Sequence, residues 1–234
     1  MCHTQSTYFN RLYTYFPSPL SAIDCGSKCA PYNAAGVPFC CDTNHVVPSA
    51  YQAEWEYLRS STDLWKLWQS DDPNITSELC AQTPEGQVLI ACKGHRYCQR
   101  KFRALSCRSF PFFPYINSRG EFIGLSYYWE HEDRCWVISN MHVVPVSFIE
   151  QFTLTYEQLF EVYPQEKDNF SYFSKLTRHQ FARSQRSIPM IHKNGFGYKI
   201  SARSERIRRF PVEKFPKLGP YKIAAELPFP GEND

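Results

Sequence analysis

Apolar side chains recur at helical spacing in two neighbouring stretches of the second half of the chain. The apolar positions are Phe148, Phe152, Leu159 and Phe160 in the first stretch and Phe170, Phe173, Leu176 and Phe181 in the second. Spacings of three and four residues place side chains on one face of a helix. We therefore predict two amphipathic helices, Ser147–Tyr163 and Asp168–Arg183, with Pro164 ending the first because proline interrupts a helix.

Shorter patterns predict the remaining regular elements. Helical spacing favours a helix over residues 50–59 and a second, short helix over residues 62–69. Runs of β-branched and aromatic residues between turn signals predict strands. The predicted strands are Gln87–Cys92, Glu121–Trp129 and Arg134–Ile138.

Several stretches show little periodicity. Residues 1–24, 25–47 and 93–120 are rich in proline, glycine or aromatic residues, and we predict irregular structure there. The tail after residue 188 is also weakly periodic. The chain as a whole predicts an α+β fold, in which a loop-rich cysteine-cluster metal site with short strands is covered by helices of the C-terminal half.

The predicted organisation is one compact domain with two parts. Residues 1–140 would form the cysteine-cluster metal-binding region, and residues 141–234 the helical cover and a basic C-terminal segment. Of the 234 residues, 43% are hydrophobic and 21% charged, a balance that permits a packed core. No apolar run reaches the roughly 20 residues that span a bilayer, and residues 1–20 lack the apolar centre of a secretory signal. We therefore expect a cytoplasmic protein without a membrane segment.

The ten cysteines are the most informative residues. In a reducing compartment, clustered cysteines more often bind metal than form disulfides. Residues 93–108 carry six basic residues and no acidic one, and nearby cations favour the thiolate that ligates metal. Seven cysteines form two groups that we interpret as metal ligands: Cys25, Cys29, Cys40 and Cys41, followed by Cys92, Cys98 and Cys107.

This pattern resembles a family of bacterial cysteine-cluster proteins. An early cysteine pair, the doublet Cys40-Cys41 and the ending Cys-Arg-x-Phe-Pro-Phe at residues 107–112 are similar to the YkgJ-like proteins, which are described as chelating zinc or iron through a CxxCxxCC signature. The resemblance covers residues 25–112 and implies that the seven cysteines ligate metal. The flagellin lysine N-methylases carry a similar cluster, which implies iron–sulfur chemistry. From this second resemblance we expect a metal cluster in the present chain, and not the methylase activity.

Two further residues are weaker ligand candidates. Cys135 lies in a predicted strand, and His45 follows the doublet closely in a His-Val-Val-Pro tetrapeptide that recurs at residues 142–145. A mixed cysteine and histidine site is ordinary for zinc. Cys2 and Cys80 are isolated, and we interpret them as small apolar core residues.

The net charge of +3 conceals a basic segment. Residues 175–217 contain twelve Lys or Arg and two acidic residues, and such a segment suits a nucleic acid or an acidic partner. The candidate anion-binding residues are Arg203, Arg206, Arg208 and Arg209.

Three functional hypotheses follow. The preferred one is an iron–sulfur cluster, with zinc or iron as the other cofactors, in a redox or metal-dependent enzyme of unknown substrate; whether the chain is an enzyme stays open. The alternative is a structural-zinc protein that binds nucleic acid or another anionic partner through its basic segment. The third is metal storage or delivery, which predicts exchangeable metal.

Overall fold

The structure is a computed structural model, and it describes residues 2–222, with side chains from residue 7 onward. These residues form eight α-helices and eight β-strands joined by turns and short 3-10 helices. The helices are α1 (Cys2–Tyr15), α2 (Cys25–Cys29), α3 (Gln52–Ser61), α4 (Pro73–Gln82), α5 (Leu105–Ser109), α6 (Trp136–Ser139), α7 (Val146–Val162) and α8 (Pro164–Arg183). The strands are β1 (Ser49–Tyr51), β2 (Trp65–Leu67), β3 (Gln87–Cys92), β4 (Phe112–Ile116), β5 (Phe122–Tyr127), β6 (Ser187–His192), β7 (Gly197–Ser201) and β8 (Ile207–Arg209).

The larger sheet has five antiparallel strands in the order β4-β5-β6-β7-β8. Every residue of β4 is buried. Pro114 fits in β4 because this strand lies at the sheet edge, where the absence of an N–H is tolerated. Gly124 of β5 is required by close packing, since a Cβ there would lie 2.4 Å from the carbonyl oxygen of Ile191 on β6.

Helices α7 and α8 form a layer on this sheet. Helix α8 packs on β4 and β6, and α7 packs on α8 and on α1. The contacts are largely aromatic: the ring centroids of Phe113 and Phe173 are 4.7 Å apart, and those of Phe16 and Phe148 are 5.2 Å apart. Stacked and edge-on aromatic pairs of this kind add to the burial of apolar surface that stabilises a core.

The smaller sheet has three antiparallel strands in the order β1-β3-β2. Its central strand β3 pairs Leu89 with Ser49 on one side and Cys92 with Trp65 on the other. Helix α3 contacts both this sheet and α1. The smaller sheet therefore ends at Cys92, which is the first cysteine of the later group.

The observed fold is α+β, as the sequence predicted, since helices and antiparallel sheets occur together. Helices α3 and α7 and strands β3 and β5 confirm the predicted elements at those places. Helix α8 begins at Pro164, earlier than predicted, because a proline is well suited to the first turn of a helix.

Two predictions of irregular structure in the first half were wrong. Residues 2–15 form α1; its side chains Phe9 and Leu12, and Phe16 directly after it, follow helical spacing and are fully or almost fully buried. The prolines that suggested an irregular segment begin only after this helix. Residues 25–29 form α2, which Asp24 caps by accepting a hydrogen bond from the Gly26 N–H at 3.0 Å.

Other corrections concern the kind of element. Residues 65–67 form β2 and not part of a helix, and residues 136–139 form α6 where a strand was predicted. The weakly periodic tail contains β6, β7 and β8, and the stretch 93–120 contains α5 and β4. Strand β6 lacks alternation because four consecutive residues, 188–191, are all buried, and a strand covered on both faces shows no period of two.

No helix in the part of the chain that the structure describes is both long enough and apolar enough to span a bilayer.

Candidate metal centre

Eight cysteines lie on short elements around one region of the molecule. Cys25 and Cys29 occupy the two ends of α2, and the doublet lies in a 3-10 helix, Phe39–Cys41. Cys92 ends β3, and Cys98 follows the 3-10 helix His95–Tyr97. The remaining positions are Cys107 in α5 and Cys135 at the N-cap of α6. All nine cysteines with described side chains are free thiols.

Helix α2 packs on α6, and this contact brings Cys25 and Cys29 close to Cys135. Cys29 is buried against Phe39 and Tyr221, with Trp136 packed on the same group. The hydroxyl of Tyr221 donates a 2.7 Å hydrogen bond to the carbonyl oxygen of Arg134, directly before Cys135. Apolar burial and one hydrogen bond thus hold together three segments that are distant in the sequence.

The later cysteines are arranged by the end of β3 and the basic loop that follows it. The Gly94 N–H donates to the Cys92 Sγ at 3.4 Å, a geometry for which Gly94 adopts a φ of +104°, which side-chain-bearing residues rarely reach. The Arg103 Nε donates to the Cys98 Sγ at 3.0 Å. N–H groups directed at sulfur stabilise the negative charge of a thiolate and commonly surround metal-bound cysteines.

The doublet lies between these two groups of cysteines. The Sγ atoms of Cys40 and Cys41 are 4.0 Å apart. Their hydrogen bond raises the pKa of Cys40, and the negative charges of Cys135 and Cys29 raise it further. The same hydrogen bond lowers the pKa of Cys41, and Arg103 lowers it as well. Cys41 is therefore the thiol of the doublet that ionises more readily.

Burial raises the pKa of most of the other thiols. It raises the pKa of Cys25 to about 11 and that of Cys135 to about 12. Burial also raises the pKa of Cys29, Cys92 and Cys107, and the negative charge of Cys41 adds to the shift in each case. A bound cation would stabilise the thiolate forms against both burial and mutual repulsion, so proton release and metal binding would be coupled.

Arg103 is the cation most closely associated with the sulfurs. Burial acts to lower its pKa, but its hydrogen bond to Cys98 and the charges of Cys107 and Cys40 outweigh burial, so its pKa is raised. Arg103 therefore stays charged. Its position allows it to offset part of the negative charge that several thiolates on one centre would carry.

Helix α5 is fixed by two buried residues that the sequence did not single out. The carboxylate of Glu54 accepts hydrogen bonds from the Leu105 N–H at 2.6 Å and from the Tyr13 hydroxyl. Arg108 donates to three backbone carbonyl oxygens, those of Phe16, Lys101 and Arg103. Glu54 lies 51 residues from Leu105, so no local pattern reveals that it positions the segment carrying Cys107.

Of the remaining candidates, His45 and Cys80 have described side chains. His45 approaches Asp42, with 3.9 Å between Nε2 and Oδ2, and its ring contacts Phe39. Cys80 is exposed on α4, so its interpretation as a core residue was wrong. The side chain of Cys2 lies outside the described residues.

In chemistry, the thiols are donors that suit zinc, iron or an iron–sulfur cluster. Within residues 7–222, however, no three or more His, Cys, Asp or Glu side chains are arranged closely enough to hold an ion. Two of the thiols receive N–H groups, Cys92 from the Gly94 backbone and Cys98 from the half-buried guanidinium of Arg103. Metal loading would therefore have to draw the sulfurs inward, which short elements joined by turns permit.

The four candidate anion-binding arginines lie on a different surface. Arg203, Arg206, Arg208 and Arg209 are all exposed, and none of them forms an ion pair within residues 7–222. Arg208 and Arg209 lie on strand β8, at the free edge of the larger sheet. Arg208 lies directly opposite Lys199 on β7, and the Arg209 guanidinium stacks 3.8 Å from the centroid of the Phe196 ring.

Comparison of the chain with protein-family models, with curated proteins and with solved structures finds no match.

Proposed function

We propose that this protein binds metal through its clustered cysteines, with an iron–sulfur cluster as the preferred cofactor and zinc or iron as the other candidates. The observation that carries the proposal is the gathering of eight thiols from separate parts of the chain onto one region. Thiolates are the ligands that these metals share. The resemblance of residues 25–112 to the YkgJ-like proteins supports the same proposal.

The iron–sulfur preference has a physical basis. An iron–sulfur cluster needs four cysteines and benefits from N–H groups that point at its sulfurs. Gly94 and Arg103 supply such donors. A cluster also spreads its ligands more widely than a single ion does, which suits sulfurs that do not converge on one point. We further propose a reducing, cytoplasmic location, where free thiols persist, and a redox or metal-dependent role.

The experiment is metal analysis of the full chain, purified without oxygen and without a metal-binding tag. Iron, zinc and acid-labile sulfide are measured per chain, together with the visible spectrum. Iron with matching sulfide and a brown colour supports the cluster; zinc without sulfide supports a zinc site. A chain free of all three, with its cysteines reduced, contradicts the proposal.

A matched pair of variants tests whether the cluster itself binds the metal. Cys107→Ala should lose most of the bound metal, because Cys107 is a half-buried thiol of the cluster. Cys80→Ala removes an exposed cysteine on α4 and should bind as much metal as the wild type. Equal metal in both variants would contradict the assignment.

A second candidate function is a structural-zinc protein that binds nucleic acid or another anionic partner. It is favoured by the opposed cations Lys199 and Arg208, since like charges directly across two strands repel each other unless an anion lies between them. Arginine beside an aromatic ring, as at Arg209 and Phe196, also suits base stacking.

The second function is tested by binding of a single-stranded RNA at several salt concentrations. The variant Arg206→Ala/Arg208→Ala/Arg209→Ala should weaken binding and reduce its salt dependence. The control, Arg11→Ala/Lys66→Ala/Lys167→Ala, removes the same charge from exposed sites elsewhere. No binding by the wild type at low salt would overturn this candidate.

A further inference from the structure

Helix α4 (Pro73–Gln82) contributes nothing to the hydrophobic core. Thr76 and Leu79 are half-buried, and the other eight positions of the helix are exposed. Within the described residues, none of its side chains belongs to the packed core. Helix α3, which also has ten residues, buries three of them. The chain therefore supplies α3 with a packing partner and leaves α4 on the surface without one.

The sequence of α4 does not explain why it is helical. A helix of ten residues is marginal in water even when its residues favour the helix. The sequence PNITSELCAQ is rich in residue types that form helices less readily than alanine or leucine. Asp72 accepts a hydrogen bond from the Asn74 N–H at 2.8 Å, but such an N-cap satisfies only the first turn. We therefore expect a further surface to pack on α4.

Two large apolar side chains are exposed in and beside this helix. Ile75 on α4 is 46% exposed, and Leu67 on β2 is 51% exposed. The segment after β2 is tied to α4, because the Ser70 N–H donates to the Thr76 hydroxyl oxygen at 2.9 Å. Strand β2 is itself an edge strand of the smaller sheet. We call the exposed residues between positions 67 and 85 the α4 surface.

The α4 surface is acidic. Residues 67–92 contain four acidic residues and no Lys or Arg. All four are exposed, and none forms an ion pair within the described part of the chain. They are Asp71, Asp72, Glu78 and Glu85. Like charges repel, so this surface disfavours a nucleic acid, an anionic membrane and a second α4 surface, and it favours a basic protein surface.

The chain carries such a basic surface at the free edge of the larger sheet. All three residues of β8 are exposed, and an edge strand offers unpaired backbone groups to another chain. Ile207 is 40% exposed and Phe196 is 48% exposed. Together with the four exposed arginines described above, these two side chains form what we call the β8 surface. The α4 and β8 surfaces thus both combine unpaired charge with exposed apolar side chains, and their charges are opposite.

We propose that a second copy of this chain covers the α4 surface with its β8 surface. The two surfaces are different, so the contact is head-to-tail, and the assembly either closes as a ring or extends as a chain. Attraction between the acidic and basic residues sets the orientation, and the exposed apolar side chains are buried. This inference does not rest on the proposed metal-binding function. It assigns the β8 arginines to a protein partner, in place of the RNA of the second candidate function.

Sedimentation velocity of the full chain tests the association. At low salt the wild type should sediment faster as its concentration rises from about 1 μM to about 1 mM, which spans weak and moderate dissociation constants. High salt should reduce the association, because it screens exposed charges. Amide hydrogen exchange in residues 73–82 should slow as the copies associate, since α4 gains a packed face.

Charge reversal tests which surfaces meet. Asp71→Lys/Glu78→Lys reverses the α4 surface, and Arg206→Glu/Arg208→Glu reverses the β8 surface. Each variant alone should associate about tenfold or more weakly, because its two surfaces now carry the same charge. An equal mixture of the two variants should associate again, since each surface of one variant then meets its opposite on the other.

A matched control reverses two charges elsewhere. Glu150→Lys/Asp168→Lys changes exposed acidic residues on α7 and α8 and should associate as the wild type does. Folding of every variant is checked by circular dichroism. If the α4 variant fails to fold, Ile75→Ser decides: it should weaken the association, and unchanged association overturns the inference.

Three results would overturn this head-to-tail contact. The first is a wild type that stays monomeric over the whole concentration range at low salt. The second is association that the charge-reversed variants keep, or that their mixture does not restore. The third is a monomeric wild type that binds single-stranded RNA and loses this binding in Arg206→Glu/Arg208→Glu, which would assign the β8 surface to nucleic acid. Metal content, measured separately, decides the proposed function.

Discussion

The larger sheet with α7 and α8 and the cysteine region are held together by different means. The sheet region buries long elements with many aromatic side chains, such as Phe113, Phe148 and Phe152, each with no exposed surface. The cysteine region consists of helices of three to five residues joined by turns. Short helices bury little surface and leave most terminal N–H and C=O groups without helical partners. The first region can be stable by packing alone, whereas the second depends on side-chain hydrogen bonds and, we propose, on metal.

The largest expected effect comes from opening a cavity in the sheet region. Phe148→Ala removes a ring that contacts Phe16 and Phe112, and we expect the free energy of unfolding to fall by about 3–5 kcal/mol. Denaturant unfolding measures the change. Val146→Ala, at an exposed position on the same helix, should change it by less than about 0.5 kcal/mol. A small effect of Phe148→Ala would contradict the view that packing dominates here.

Next in size is the loss of the buried Glu54 carboxylate that anchors α5. Glu54→Ala leaves the Leu105 N–H and the Tyr13 hydroxyl without their acceptor, and we expect a cost of about 2–4 kcal/mol. Metal content should fall as well, because α5 carries Cys107. The control Glu56→Ala breaks an ion pair with the exposed Arg59 and a hydrogen bond from the exposed Gln52 side chain, and it should cost less than about 1 kcal/mol. Unchanged metal content in Glu54→Ala would show that α5 does not need this anchor.

Removing the metal tests the comparison directly. A chelator should raise amide hydrogen exchange in residues 25–47 and 93–104 by about tenfold or more, since local stability there depends on ligation. Strands β5 and β6 should exchange as before. Equally faster hydrogen exchange in both regions would mean that the metal stabilises the whole fold. Unchanged exchange in both regions would mean that the loops are stable without metal.

The smallest effect is a pH dependence that arises at His131, in the segment between β5 and α6. Burial lowers the pKa of His131 to about 4, and its Nδ1 atom is buried without a hydrogen-bond partner in the described structure. Below about pH 6.5, His131 binds a proton in the unfolded chain but stays neutral in the folded chain. The free energy of unfolding therefore decreases as the pH falls from about 6.5 towards 4. His131→Asn should remove about 1–2 kcal/mol of this loss, after allowance for solvent screening of the partly exposed ring. His179→Asn, on an exposed face of α8, is the control and should leave the pH profile unchanged.

Long one-sided helices were the easiest elements to predict. Helices α3 and α7 bury one stripe each, and such a stripe is visible in the sequence as a period near 3.6. Strand β6 was missed because both of its faces are covered. Helix α1 has such a stripe as well, but Pro17 and Pro19 follow it directly and indicate an irregular segment.

The candidate centre was predictable in its composition and less so in its geometry. Close spacing indicated that the cysteines at 25–41 and 92–107 belong together. Cys135 was a weaker ligand candidate, since its neighbours on α2 are distant in sequence and become adjacent only when α6 packs on α2. The anchoring roles of Glu54 and Arg108 could not be predicted, because their partners are set by the tertiary fold.

The positions of two tryptophans give each cysteine set its own optical probe. Trp136 covers Cys29 beside α6, and Trp65 is the cross-strand partner of Cys92, with its indole N–H donating to the Phe102 carbonyl oxygen at 2.8 Å. Iron and thiolate-bound clusters quench nearby indole emission. Replacing one tryptophan at a time with phenylalanine would therefore let fluorescence report on the surroundings of Cys29 and of Cys92 separately, in the same chain and without any added label.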